Sequence, residues 1–249
     1  MLSYDFIIAN IPHASVEIPD FADFLPSETA VRREARLIAD LYTDELIDDG
    51  PAVRRVVAPV SRLYVDTERF ADDEKEPAAR FGMGVLYTKT HDGVHLRLPP
   101  SPERRAELIG RYYDPHHAAL TDAVDESLTQ TGKALILDLH SYPTRFDFLG
   151  TKGKYAPDVC IGCDAFHADI AVLEKLVNWC YENGFSCAVN NPFSGAVVPS
   201  KHYGKTKEVA SFMIEIRRGL YMNEETFEKR ETFSVLKREI GRLLRSLTR

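Results

Sequence analysis

The stretch LILDLHSYP constrains this chain more than any other. An apolar run, Ala134–Leu137, ends abruptly in Asp138, His140 and Ser141. A short run of this kind reads as a buried strand, and its polar end puts the imidazole at the carboxyl edge of a sheet, where α/β proteins hold ligands and metals. The segment FIIANIPHAS repeats the arrangement, running from Phe6 to Ala9 and then presenting His13. Two strand ends that each carry a histidine point to one site, and a metal is the economical explanation.

Strand-like segments recur at Tyr4–Ala9, Arg54–Val60, Leu63–Val65, Ala134–Leu139, Val159–Ile161, Ser186–Val189 and Phe212–Ile216. Helical patterns lie between them, over Val31–Asp48, Pro102–Leu128 and Ala168–Asn183. A last helix starts near Asn223 and carries Phe227, Val235, Leu236, Ile240, Leu243, Leu244 and Leu247 on one stripe. This alternation predicts a single-domain, three-layer α/β/α architecture around a mixed, mostly parallel sheet. No repeat or linker divides residues 1–249. Two connectors, Phe81–Pro100 and Asn190–Gly204, are long and rich in Gly, Pro and polar residues, as functional loops are.

Composition narrows the function classes. The chain has 249 residues, 44% hydrophobic and 28% charged, enough for a full α/β core. A net charge of -7 argues against nucleic acid as a partner. No apolar run approaches the roughly 20 residues of a membrane span, and the N-terminus lacks a signal-peptide pattern, so a cytoplasmic location is expected. Cys160 and Cys163 form a CIGC pair without a second knuckle, which favours buried reduced thiols over a zinc ribbon.

The candidate chemistry sits at strand ends. Zinc hydrolases use two or three fixed nitrogens plus a carboxylate and keep one position open for water. His13 and His140 supply nitrogens, and Glu17, Asp40, Asp44 or Asp138 could supply the carboxylate. Asp40 and Asp44, four residues apart, would share a helical face. Asp138, two residues before His140, lies on the same strand face and suits an orienting role. Glu215 interrupts the apolar run Phe212–Ile216; it is either a partly desolvated general base or the partner of Arg217, Arg218 or Arg62. Arg62 and Arg69 flank Asp66 and could hold an acidic substrate or polarise a carbonyl. His117, Tyr203 and Lys201 are further polar contacts. GxSxG, Walker A, GxGxxG and HExxH are all absent, and Ser141 lies outside any nucleophile elbow, which makes it a substrate contact at most.

The motifs PHAS (Pro12–Ser15), the spacing from Asp40 to Leu46, SRLYVDTER, YYDPHHAAL, LDLHSYP, NPFSG and IEIRRGLYMNE occur in the order seen in the N-formylglutamate amidohydrolase family. The chain resembles that family from about His13 to Glu224. The resemblance implies a zinc-carboxypeptidase-like fold, related also to aspartoacylase-like deacylases, and a zinc-dependent amidohydrolase. It implies His13, Asp40 and His140 as metal ligands, with Asp44 and then Glu17 as alternatives to Asp40, and Glu215 as general base. Arg69 matches the arginine of a V-D-x-N-R segment, in which Glu68 here replaces the asparagine; the CIGC segment also departs from the family. The expected substrate is a small N-acyl, first of all N-formyl, acidic amino acid. Zinc with Arg62 or Arg69 would face the oxyanion, and Arg69 or Arg217 the substrate carboxylate. A zinc carboxypeptidase-like peptidase and a non-catalytic metabolite-binding protein are the competing readings.

Overall fold

The computed structural model describes residues 4, 6–48, 50, 52–144 and 156–248. The chain gathers into two compact units. The first is Met1–Ile11, Tyr42–Val56 and Leu120–Arg249; the second is Pro12–Leu41 and Val57–Ala119.

A six-stranded sheet runs in the order β2-β1-β3-β6-β4-β5. Its strands are β1 (Ile7–Ile11), β2 (Val53–Val57), β3 (Ala134–Tyr142), β4 (Val159–Gly162), β5 (Cys187–Val189) and β6 (Val209–Arg217). The pairs β1–β3, β3–β6 and β4–β5 are parallel, whereas β6–β4 is antiparallel, so the sheet is mixed and mostly parallel. β3 is buried at every residue, which explains its nearly continuous apolar sequence.

Register decides what each face carries. Ile8 pairs with Ile136, Asn10 with Asp138, and His140 with Glu215, which also pairs with Cys160. With a period of two, these residues all project to one face. Near the strand starts that face is apolar: Phe6, Ile8, Ala134, Ile136 and Val209 pack with Leu120, Ala123 and Val124. The last three lie on α3 (Asp114–Thr131). Toward the carboxyl ends the same face turns polar, with Asn10, Asp138, His140 and Glu215.

Two further helices belong to the first unit, α4 (Ile170–Glu182) and α5 (Thr232–Leu247). Asp169 caps α4, accepting from the Ala171 and Val172 amides at 2.9 and 3.3 Å. The helices are tied by the Trp179 indole N–H, which donates to the Glu239 carbonyl at 3.1 Å. α5 starts nine residues later than the apolar stripe suggests. Asn223 folds its side chain onto the Glu225 and Thr226 amides, and Phe227 takes φ 60°, outside any helical stripe.

The second unit has little regular sheet. Ile18, Val31, Ala35, Val60, Leu63, Tyr64, Val65, Val85, Leu86, Tyr87, Leu96 and Leu108 form its core. α1 (Glu28–Ile38) and α2 (Pro102–Leu108) contribute to it. Leu63–Val65 is a buried turn, not a strand, because the Tyr64 and Val65 amides both donate to the Ser61 carbonyl. The long helix expected over Pro102–Leu128 passes through a π-turn at Ile109–Tyr113. There the Asp114 amide reaches the Ile109 carbonyl, a register change just before Pro115, which has no amide to donate.

Candidate active site

The second unit contributes a group centred on Asp66. Pro12 follows β1, and His13 comes next with 2% of its surface exposed. The His13 carbonyl accepts from the Asp40 amide at 2.9 Å, and its Nδ1 lies 3.6 Å from Asp40 Oδ2. Its Nε2 is 2.8 Å from Asp66 Oδ1. Asp66 is fully buried and also accepts from Arg62 Nη2 at 3.0 Å, the Tyr87 hydroxyl at 2.9 Å and the Glu68 amide at 3.0 Å. Arg69 Nε stands 3.7 Å away.

Burial alone would push the Asp66 carboxyl up, but Arg62, His13 and Arg69 outweigh it and hold the group well below the usual carboxylate range. Arg62 moves the other way: burial pulls it down, while Tyr87, Asp66 and Asp40 more than compensate. An ionised Asp66 accepts from Nε2 of His13, while Nδ1 of the ring faces Asp40. His117 is more remote from this carboxylate. Its Nε2–H donates to the Thr67 carbonyl at 2.8 Å, and burial draws its pKa below the ordinary histidine value.

The first unit contributes the polar end of the sheet face. His140 is 4% exposed, and its Nε2 lies 3.0 Å from Asp138 Oδ1; that oxygen accepts from the Asn10 side-chain amide at 2.8 Å. Glu215, 8% exposed, occupies the β6 position directly across from His140. Of the arginines considered as its partners, Arg217 pairs with Asp158, Arg218 Nε donates to Ser141 Oγ at 3.2 Å, and Arg62 pairs with Asp66. Cys160, on the other side of Glu215, donates its thiol to the Phe193 carbonyl at 3.3 Å. All four cysteines are free.

Several expectations change. Asp40 and Asp44 do not share a helix face, since α1 ends at Ile38. Asp40 is buried, whereas the Asp44 carbonyl receives Arg55 and Glu17 is exposed. Ser141 projects to the face opposite His140, as its neighbour in a strand must, and is occupied by Arg218. The Arg217 guanidinium is engaged by Asp158, whose other oxygen takes the Ser186 hydroxyl at 2.7 Å. Tyr203 stacks on His167, which donates to the Val209 carbonyl at the start of β6. That is six residues, roughly 20 Å of strand, from Glu215. Sequence reasoning missed Asn10, Tyr87, Arg97 and the hub role of Asp66. Asn10 alone had a signal, its parity with Asp138 on a parallel neighbour.

An α/β sheet whose carboxyl edge carries a buried histidine beside a carboxylate is built to hold a ligand at that edge. Residues 6–222 match the profile of the N-formylglutamate amidohydrolase family, and the chain belongs to that family. The N-formylglutamate deformylase of Pseudomonas aeruginosa is 26% identical over 230 residues, 88% of this chain and 83% of that protein. The crystal structure of N-formylglutamate amidohydrolase from Ralstonia eutropha JMP134 superposes with a TM-score of 0.84 at 23% identity, covering 100% of this chain and 94% of that one. A gene product of Agrobacterium tumefaciens superposes at 0.60 with 18% identity, covering 99% and 92%. At these identities the two structures establish the fold. Among the described residues no helix is long and apolar enough to cross a membrane.

Proposed function

We propose that this chain is a zinc-dependent amidohydrolase that cleaves the amide of a small N-acyl acidic amino acid, N-formylglutamate first of all. The observation that carries the reading is the cross-strand pair His140–Glu215 at the polar end of the sheet face, with Asp138 behind the imidazole.

His13, Asp40 and His140 are the proposed metal ligands. The donor set fits zinc: two imidazoles and one carboxylate, all buried, each imidazole backed by a second carboxylate, Asp66 or Asp138. Zinc, when bound, supplies Lewis acidity toward the scissile carbonyl and the attacking water. Glu215 takes the proton of that water and delivers it to the departing amine. Arg62 and Arg69, which share the Asp66 carboxylate, are the proposed guanidiniums for the oxyanion and for the substrate's own carboxylate. Glu68, beside them, adds negative charge that tunes which acidic substrate is accepted. His117 lines the same unit near Thr67. The substrate named for the Pseudomonas relative supports the formyl assignment. A cytoplasmic setting suits such a substrate.

Replacing Glu215 with Gln is expected to lower turnover by about 10²–10⁴-fold, while metal analysis still finds one zinc per chain. Full activity in that variant would remove Glu215 from the mechanism. His140→Ala is expected to lose bound zinc, and an unchanged metal-to-protein ratio would exclude it as a ligand. Assaying formyl and longer acyl glutamates beside C-terminal peptides separates the deformylase from a peptidase. Zinc binding with no hydrolysis at all would indicate a metabolite-binding protein.

A further inference from the structure

The loop Phe81–Pro100, long and polar in the sequence, carries Arg97, which is 1% exposed and among the largest fully buried side chains of the chain. Its contacts are unusual for a buried cation. Nε donates to the Tyr87 carbonyl at 2.5 Å, and Nη2 donates to the Leu63 and Tyr64 carbonyls at 2.9 and 2.8 Å. The guanidinium also lies 5.1 Å from the Phe24 ring centroid. Among the described residues it makes no ion pair. Burial brings its pKa down to about 10, so it remains cationic at neutral pH.

A buried cation held by backbone carbonyls, with Asp23 favouring its charge but making no ion pair with it, is unfavourable unless its donors are needed where they are. The three carbonyls come from two segments, the turn Ser61–Val65 and the stretch ending at Tyr87. These segments also carry Arg62 and Tyr87, and Asp66 follows Val65 directly. They meet again where the Asp66 amide donates to the Val85 carbonyl at 2.9 Å and the Tyr87 hydroxyl to Asp66 at 2.9 Å. The planar fork of an arginine spans such a set of acceptors, and a lysine cannot.

We propose that Arg97 is a positioning residue: it clamps the two segments that present Asp66, and through Asp66 it fixes the orientation of the His13 imidazole. The inference rests on the proposed function only in taking His13 as part of the site.

The test compares wild type with Arg97→Lys and Arg97→Met. Imidazole nitrogen NMR of the metal-free proteins reads the hydrogen bond from His13 Nε2 to Asp66, zinc titration reads affinity, and circular dichroism with thermal melting reads folding. Arg97→Lys is expected to fold with an unchanged spectrum, to lose the hydrogen-bonded Nε2–H signal of His13, and to bind zinc about 10–100-fold more weakly. A folded Arg97→Lys with the wild-type Nε2–H signal and zinc affinity overturns the proposal, whatever its activity. If both variants fail to fold, Arg97 serves the unit's stability as a whole and the positioning role is also overturned. Wild-type protein that neither binds zinc nor hydrolyses formylglutamate would defeat the proposed function, while the hydrogen-bond comparison still decides the role of Arg97.

Discussion

His117 shows how a single side chain sets a pH limit. Its pKa is lowered by burial, only partly offset by its bond to the Thr67 carbonyl, so the unfolded chain binds the proton more readily than the folded one. Stability from this group is therefore present above the ordinary histidine pKa of about 6.5 and falls as pH drops below it toward the folded value. Denaturant unfolding between pH 7.5 and 5 should show this slope, and His117→Gln should flatten it; an unchanged slope would assign the effect to another group. The proposed site residues were more legible in the sequence than their orientation. His13, Asp40, His140 and Glu215 were visible as polar interruptions of apolar runs. Asp66 was not distinguishable from any other surface acid, because its importance comes from Arg62, Arg69, Tyr87 and His13, which meet only after folding. Arg97 was equally silent, since its acceptors are backbone carbonyls.

At the scale of elements, strands were legible and helix ends were not. The apolar run Ala134–Leu139 gave β3 its start, and pairing with β6 carried it on through His140 to Tyr142. The segment Val31–Asp48 keeps an apolar spacing past Ile38, yet α1 stops there. Ala39 turns extended at ψ 148° and the Asp40 amide leaves the helix for the His13 carbonyl. Tertiary bonding overrode a periodicity that read as continuous. Gly162 at the end of β4 is another such element boundary. A Cβ there would stand 2.3 Å from the Gly195 carbonyl and 2.4 Å from Met213 Cε. Gly162→Ala is expected to destabilise the fold by about 1–3 kcal/mol through overpacking, measured by urea unfolding. A stability equal to wild type would mean that the Gly195 segment yields without cost.

For the molecule as a whole, a ligand that binds only the folded chain adds to its stability. Zinc at about 100 times its dissociation constant should contribute about 2.7 kcal/mol, seen as a rise in melting temperature that a chelator reverses. His140→Ala should melt at the same temperature with and without zinc; a full zinc response in that variant would place the ion elsewhere. The parallel register of β3 and β6 has a different consequence, one for heredity. Side chains alternate along a strand, so inserting or deleting one residue in β6 ahead of Glu215 would bring Ile214 or Ile216 opposite His140 and drive the carboxylate into the apolar face. Point substitutions in β6 can be sampled one at a time, but a change of length there inverts the whole strand at once. Related chains should therefore vary in length in their connecting loops and keep the interval between Val209 and Glu215 constant.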